Sequence, residues 1–201
     1  MVPSPLEVET FQGTAWVSVV ALRIAALRLN AIPSVPLLPA FAELNLRTYV
    51  CDGPHRGVWF FRIEAASRLG AFIARHVFHA PFSHTPIEMT TGFPTTFEVH
   101  GGARSRLLYQ TTGVAIDPAT NPLAQFLTER SAMFTAAENR KGVYRSDLRH
   151  EPWQLQAAAA DLDVAAFFRA GGLNEPHTTP TSYWAEAVTT TVTWPTKLQP
   201  I

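Results

Sequence analysis

The sequence predicts an α+β chain dominated by antiparallel β-sheet. Three observations carry that reading. Apolar–polar alternation at strand period recurs along most of the chain, turn dipeptides separate the runs, and only three segments show helical spacing. No internal repeat, low-complexity stretch or linker breaks the 201 residues, so residues 1–201 read as a single domain.

Leu6–Phe11 and Ala15–Arg23 read as strands joined at Gln12-Gly13, a pair suited to a tight hairpin. Residues 32–39 hold Pro33, Pro36 and Pro39 among apolar neighbours, which predicts an extended, irregular segment. It either lids a cavity or simply packs over the end of the sheet. Leu44–Val50 and Val58–Glu64 follow as strands, linked by a Cys51–Gly57 loop rich in turn residues. Ser67–His79 has helical spacing, with Leu69, Phe72, Ile73, His76 and Val77 on one face and Pro81 as terminator. Thr95–His100 and Arg104–Thr112 flank Gly101-Gly102, a second hairpin signal.

Asn121-Pro122 pairs a cap residue with proline at the first helical position and opens a helix running to about Ala136. Gly142–His150 and Trp153–Ala159 read as strands broken at Glu151-Pro152, and Leu162–Ala170 as a short helix stopped by Gly171-Gly172. Tyr183–Trp194, thick with Thr and Val, is the longest predicted strand. Antiparallel sheets with this many strands close or fold over themselves.

Composition narrows the function classes. Sixteen acids balance sixteen bases, so no overall field draws the chain to nucleic acid or to anionic lipid. No run of apolar residues is long enough for a membrane-spanning helix, and the N-terminal sequence lacks the basic-then-apolar order of a signal peptide. A single cysteine, Cys51, excludes an internal disulfide and fits a reducing compartment; the cytoplasm is the expected location. Fourteen bases are Arg and only Lys141 and Lys197 are Lys, which leaves few side chains able to form an imine.

The most informative stretch is Glu43-Leu44-Asn45-Leu46-Arg47-Thr48-Tyr49-Val50. On a strand, Glu43, Asn45, Arg47 and Tyr49 share one face, and Leu44, Leu46, Thr48 and Val50 the other. The following strand adds Arg62 and Glu64, in phase with Val58 and Phe60. Such a stripe either lines a polar lumen, with Arg47 holding a carboxylate, or forms a solvated outer face or an Arg–Glu tie between strands. Arg130 falls on the apolar stripe of its expected helix, where a charge must be paired, face a cavity or snorkel at the helix edge. His76 and His79 are three residues apart, with His84 and Glu88 beyond, yet no complete metal-ligand signature forms. No metal and no cofactor are expected. Nucleophile elbow, phosphate loop, dinucleotide fingerprint and Cys-x-x-Cys are all absent. The aromatic residues alternate at strand period, as core packing requires.

Several collinear runs resemble the uncharacterised YqjF-like family. They are Phe41-Ala42-Glu43-Leu44-Asn45-Leu46-Arg47-Thr48-Tyr49-Val50, Gly57-Val58-Trp59-Phe60-Phe61, Ala74-Arg75, Phe78-His79-Ala80-Pro81, Phe126-Leu127-Thr128-Glu129-Arg130 and His150-Glu151-Pro152-Trp153-Gln154-Leu155. Members carry a further segment before the Leu6 strand, so the resemblance implies a short N-terminus here. That family is similar to the acetoacetate decarboxylase superfamily, which implies a closed or cone-like β-barrel around a polar pocket, with about three helices packed on it. The decarboxylases form an imine on a lysine within a Gly-x-Pro-Lys-Lys run; the nearest counterpart here is His79-Ala80-Pro81-Phe82-Ser83. The resemblance therefore implies the pocket without the Schiff-base lysine.

Three functions stay open on the sequence. A binder of a small carboxylate-bearing metabolite would use Glu43, Asn45, Arg47, Tyr49 and Arg130. A non-covalent acid–base enzyme acting on a keto acid would use Glu43 or Glu64 as the base and Arg47 as electrostatic stabiliser. An interaction module would keep the barrel with side chains filling its interior. A small molecule is the expected partner; oligomeric state is not legible.

Overall fold

A computed structural model describes residues 1–25, 28–29, 39–137 and 142–198. Most of the proline-rich segment, residues 32–38, and Lys141 lie outside the described residues. The chain divides into two compact units. One comprises Met1–His84, Arg130–Glu151 and Thr189–Ile201; the other comprises Thr85–Glu129 and Pro152–Val188.

The first unit is organised around the hairpin of Phe41–Asp52 and His55–Ala65. Gly53 at its tip adopts φ +56°, the left-handed conformation that a two-residue turn requires. The loop expected over Cys51–Gly57 is consequently shorter, and both strands are longer, than turn composition alone suggests. A ten-stranded sheet grows from this hairpin. Its main path runs Glu7–Val8, Phe41–Asp52, His55–Ala65, Ala132–Ala136, Val143–His150, Thr190–Val192, Arg28–Leu29. Val17–Ile24 pairs antiparallel along nearly its whole length with Phe41–Asp52. Most ladders are antiparallel, but Ala132–Ala136 and Phe82–His84 both run parallel to His55–Ala65. Among the described residues no ladder joins the two ends of the path, so hydrogen bonding leaves this sheet open rather than closed.

Gln12 and Gly13 turn between Thr10–Phe11 and Thr14–Ala15 at φ 51° and 78°, the all-positive geometry of a two-residue hairpin turn. Helix Arg68–Val77 begins where predicted, with Ser67 Oγ accepting from Gly70 N at 3.0 Å. Its buried residues are the small Gly70 and Ala71, whereas Leu69 and Phe72 from the apolar stripe are turned outward. Backbone proximity explains the choice. A side chain at Gly70 would meet the Phe41 ring at 3.1 Å, so only the smallest residues fit the inward face. Leu6, Val50, Ala132, Phe134 and Val143 form one core cluster, and Ile63, Phe78 and Ala80 another.

The second unit carries a five-stranded antiparallel sheet in the order Tyr183–Ala185, Leu155–Asp163, Ser105–Ile116, Thr95–Val99, Ile87–Thr90. The hairpin expected at Gly101-Gly102 is present, with Val99 opposite Ser105. Helices Pro122–Thr128 and Ala165–Ala170 complete it, so the described residues hold three helices in all. None of them is long and apolar enough to cross a membrane.

Two expectations are corrected by strand pairing. The helix opening at Asn121 is capped as predicted, its side chain accepting from Ala124 N at 3.0 Å, but it ends at Thr128. Ala132–Ala136 is a strand, gaining ladders on both sides, with Val143–His150 and with His55–Ala65. Two ladders outweigh a helical spacing that has only local support. Arg130 thus lies beyond the helix, not on its apolar stripe. The single strand expected over Tyr183–Trp194 is two, Tyr183–Ala185 and Thr190–Val192, which pair in different sheets. Thr and Val favour extended backbone but do not choose its partner.

Gly57 sets the close approach of the central hairpin to Ala132–Ala136. A Cβ there would stand 2.4 Å from Ala132 O and 2.7 Å from Phe134 Cε2. Gly57→Ala is expected to destabilise the protein by about 1–3 kcal/mol in urea unfolding. Gly102→Ala, with open space around its Cβ, should change stability by no more than about 0.5 kcal/mol.

Candidate functional site

The strand Phe41–Asp52 is buried on both faces over most of its length. Leu44, Leu46 and Val50 are each 0% exposed; on the opposite face Glu43 is 8%, Asn45 1% and Tyr49 0% exposed. The polar stripe is therefore not a solvated outer face. Arg47 is half-buried. Register supplies the surroundings: Ala65, Ile63, Phe60 and Val58 stand opposite Glu43, Asn45, Arg47 and Tyr49 on one neighbour. On the other, Leu22, Val20 and Ser18 stand opposite Glu43, Asn45 and Arg47. These flanks, apolar except for Ser18, desolvate the polar groups between them.

Burial is felt most at Glu43. Desolvation pushes its carboxyl up from 4.5 to about 7, while the hydrogen bond from Asn45 and the positive charge of Arg47 act in the opposite sense. Asn45 Nδ2 donates to Glu43 Oε1 at 3.1 Å. Asn45 Oδ1, on a nearly inaccessible side chain, has no hydrogen-bond partner. Buried polar atoms are paired in the great majority of cases, so this acceptor is an exception.

The second strand does not contribute as its alternation predicts. The ladder slips between Leu46 and Arg47, with Leu46 opposite Arg62 and Arg47 opposite Phe60, so Phe61 is an extra residue. That bulge inverts the phase. Val58 and Phe60 stay with the polar stripe, whereas Arg62 and Glu64 fall on the face of Leu46 and Leu44. There Arg62 binds Glu64 through Nη2 at 2.5 Å and Nε at 2.6 Å, and Glu64 is 0% exposed. The two candidate carboxylates, Glu43 and Glu64, are thus on opposite faces.

Arg130 and Tyr49 do come together. The Arg130 guanidinium lies 4.9 Å from the Tyr49 ring centroid, and the Tyr49 hydroxyl is 2.5 Å from Ser18 Oγ. Arg130, 5% exposed, also donates from Nη1 to Glu9 Oε2, and Glu9 Oε1 lies 3.4 Å from Arg56 Nε. Glu9 is therefore the acidic group that compensates Arg130. No local signal links Glu9 to Arg130, since the two lie 121 residues apart.

The remaining candidates separate. His76 Nδ1 is 2.9 Å from Phe72 O, and the His79 ring packs on Tyr144 at 4.3 Å between centroids. His100 lies 3.5 Å from Glu88. Among the described residues no three His, Cys, Asp or Glu side chains gather as metal ligands. Burial and the nearby Glu9 and Glu7 push the Cys51 thiol up, away from the thiolate a nucleophile needs. Phe82 and Ser83 stand beside Ile63 and Glu64 in a parallel ladder, and Phe82 packs on the Ile63–Phe78–Ala80 cluster.

Two outcomes follow for stability. Glu43 keeps its proton in the folded state to a higher pH than in the unfolded chain. Stability should then fall as pH rises from 4.5 to about 7 and level off above, a slope that Glu43→Gln removes in denaturant titrations across that window. Arg130→Ala should cost about 1–3 kcal/mol, because partly buried Glu9 keeps only its longer contact with the exposed Arg56, and adding Glu9→Ala should recover part of that loss.

A family model described as an uncharacterized conserved protein, DUF2071, matches residues 1–189. The uncharacterized protein YqjF of Bacillus subtilis is 31% identical over 191 residues, covering 92% of this chain and 78% of that protein. Among solved structures, acetoacetate decarboxylase from Legionella pneumophila superposes with TM-score 0.69 at 9% identity, over 99% of this chain and 78% of that one. An acetoacetate decarboxylase-like enzyme from Sphingomonas wittichii superposes with TM-score 0.58 at 13% identity, over 100% of this chain and 85% of that one.

Proposed function

This chain belongs to the DUF2071 family and shares the fold of the acetoacetate decarboxylases, and from that premise we propose that it binds a small carboxylate-bearing metabolite at the Glu43–Asn45–Arg47 stripe, in a polar pocket of the barrel type and without an imine-forming lysine. The observation that carries this reading is the buried Asn45 amide, whose Oδ1 lacks a partner while its Nδ2 holds Glu43. A carboxylate ligand would meet the Arg47 guanidinium, at the more accessible end of the stripe, in a charge-assisted hydrogen bond. A ligand hydroxyl would donate to Asn45 Oδ1. Glu43, half protonated near neutral pH, would donate to the anion instead of repelling it. Tyr49, held by Ser18 and covered by Arg130, would form the wall beyond Arg47. Arg130 is a weaker candidate for the anion itself, because Glu9 already offsets its charge.

Absence of imine chemistry has support of its own. His79 adopts φ 53°, a left-handed backbone that glycine takes without strain. That suits the glycine position of the decarboxylases' Gly-x-Pro-Lys-Lys run and supports the correspondence of Phe82 and Ser83 with the two lysines. Lys197, the lysine among the described residues, sits on the exposed two-residue strand Thr196–Lys197.

A second reading is favoured by one observation. A carboxyl with a pKa of about 7 beside a guanidinium is matched to proton transfer at neutral pH. Glu43 would then take or give a proton α to a keto acid carbonyl while Arg47 stabilises the charge that develops. Glu64, locked to Arg62 on the other face, is the poorer candidate base.

A thermal-shift panel of keto and hydroxy acids tests both readings. A bound acid at a hundred times its dissociation constant should stabilise the protein by roughly 2.7 kcal/mol. Arg47→Ala should weaken that binding at least about tenfold, the loss of one charge-assisted hydrogen bond, and the amide analogue of the acid should not bind. Borohydride added with a bound keto acid should leave the intact mass unchanged. A reduced adduct on Lys141 or Lys197 would overturn the lysine-free reading. Turnover that Glu43→Gln abolishes while binding survives would select the enzyme over the binder.

A further inference from the structure

The second unit holds a cleft that neither the polar stripe nor the family assignment accounts for. It is open to solvent on one side, has a volume of about 350 Å³ and is lined by Thr91, Gly92, Phe93, Thr95, Tyr109, Gln110, Thr111 and Trp184. Strand register explains how these residues meet. Tyr109 stands opposite Thr95 and Ala160, Thr111 opposite Ala158, and Trp184 opposite Gln156. Tyr109 and Thr111 are two apart on one strand, and Ala160, Ala158 and Gln156 two apart on the next. Thr95, Tyr109, Thr111 and Trp184 therefore share one face of the five-stranded sheet.

Alanines at 158 and 160 leave that face low between Tyr109 and Trp184, and the ladder slips between Thr111 and Ala115. Thr111 is fixed there, its hydroxyl donating to Gln156 Oε1 and accepting from Gly113 N at 3.1 Å. Thr95 Oγ1 donates to Gly92 O at 3.2 Å and so ties the turn bearing Phe93 to the sheet. Phe93 is 82% exposed at the rim, an unusual position for a ring with no partner to cover it.

The chemistry of the lining selects a ligand class. Not one of the eight residues is ionisable at neutral pH, and burial pushes the Tyr109 phenol further from deprotonation. A charged ligand would lose its hydration without a counter-charge. Phe93, Tyr109 and Trp184 offer ring faces of negative electrostatic potential, which attract the polarised C–H bonds on the flat side of a saturated, hydroxylated ring. The hydroxyls of Tyr109, Thr95 and Thr91 supply donors and acceptors for its hydroxyl groups. The volume fits a small ligand.

We infer that this cleft is a second binding site, taking a neutral hydroxylated ring of the kind found in a monosaccharide or at the end of a glycan, stacked on Trp184 and Phe93.

Saturation-transfer NMR and calorimetry with methyl glucoside, methyl galactoside, maltotriose and glucuronate test it on the full chain. Saturable, millimolar binding of at least one neutral sugar is expected, weakened at least tenfold by Trp184→Ala and by Phe93→Ala, with glucuronate not bound. Phe93 is exposed enough that its loss leaves folding intact, so the result does not depend on the Trp184 variant. A free sugar as ligand predicts equal affinity for methyl glucoside and maltotriose; a glycan end predicts tighter binding of the trisaccharide. No binding of any neutral sugar, binding unchanged in the Phe93→Ala protein, or equal binding of glucuronate would each overturn the inference.

Discussion

Most of what is distinctive in this protein depends on one strand having no solvent face. Phe41–Asp52 lies between Val17–Ile24 and His55–Ala65, with leucines on one side and Glu43, Asn45, Arg47 and Tyr49 on the other. A polar side chain in that position must find a partner, change its protonation or remain strained. Each of those outcomes occurs within seven residues. Tyr49 finds Ser18 and the Arg130 guanidinium, Glu43 holds its proton up to about pH 7, and Asn45 keeps an acceptor unfilled. Stability alone would favour apolar residues along such a stripe, and the ligand we propose is one reason for its polarity.

The same strand accounts for the separation of structural from chemical charges. Arg62 with Glu64, and Arg130 with Glu9, are ion pairs in each of which one member is almost fully buried. Among the described residues Glu43 has no such ion pair: Asn45 contacts it directly, and Arg47 reaches it through charge. Both kinds of group are Arg and Glu in the sequence. Only register and burial distinguish a pair that holds the fold from one that can meet a ligand.

Much of this was legible beforehand, and the failures have identifiable causes. Gln12-Gly13, Gly101-Gly102, Ser67 and Asn121-Pro122 act through local backbone geometry, and each turn or cap is where the sequence indicates. Period-two alternation also put Glu43, Asn45, Arg47 and Tyr49 on one face correctly. It failed one strand later, because the extra residue at Phe61 inverts the phase of Arg62 and Glu64 and leaves no mark in composition. Arg130 was misplaced on a helix since 129–136 has helical spacing, while the ladders that make Ala132–Ala136 a strand come from residues near 57 and 145. Glu9 was missed for the same reason: its partner is distant along the chain. Local signals survive translation into structure, and non-local pairing decides the rest.

The central claim is that burial among apolar neighbours, eased by Asn45 and Arg47, keeps Glu43 poised near neutrality for a carboxylate ligand. Carbon-13 NMR of the glutamate side-chain carboxyls, with the Glu43 signal identified by its loss in Glu43→Gln, measures this directly. The account predicts one carboxyl titrating with a midpoint near 7, shifting when a carboxylate ligand is added. Every glutamate titrating near the ordinary value of about 4.3, with no response of Glu43 to any carboxylate, would contradict it.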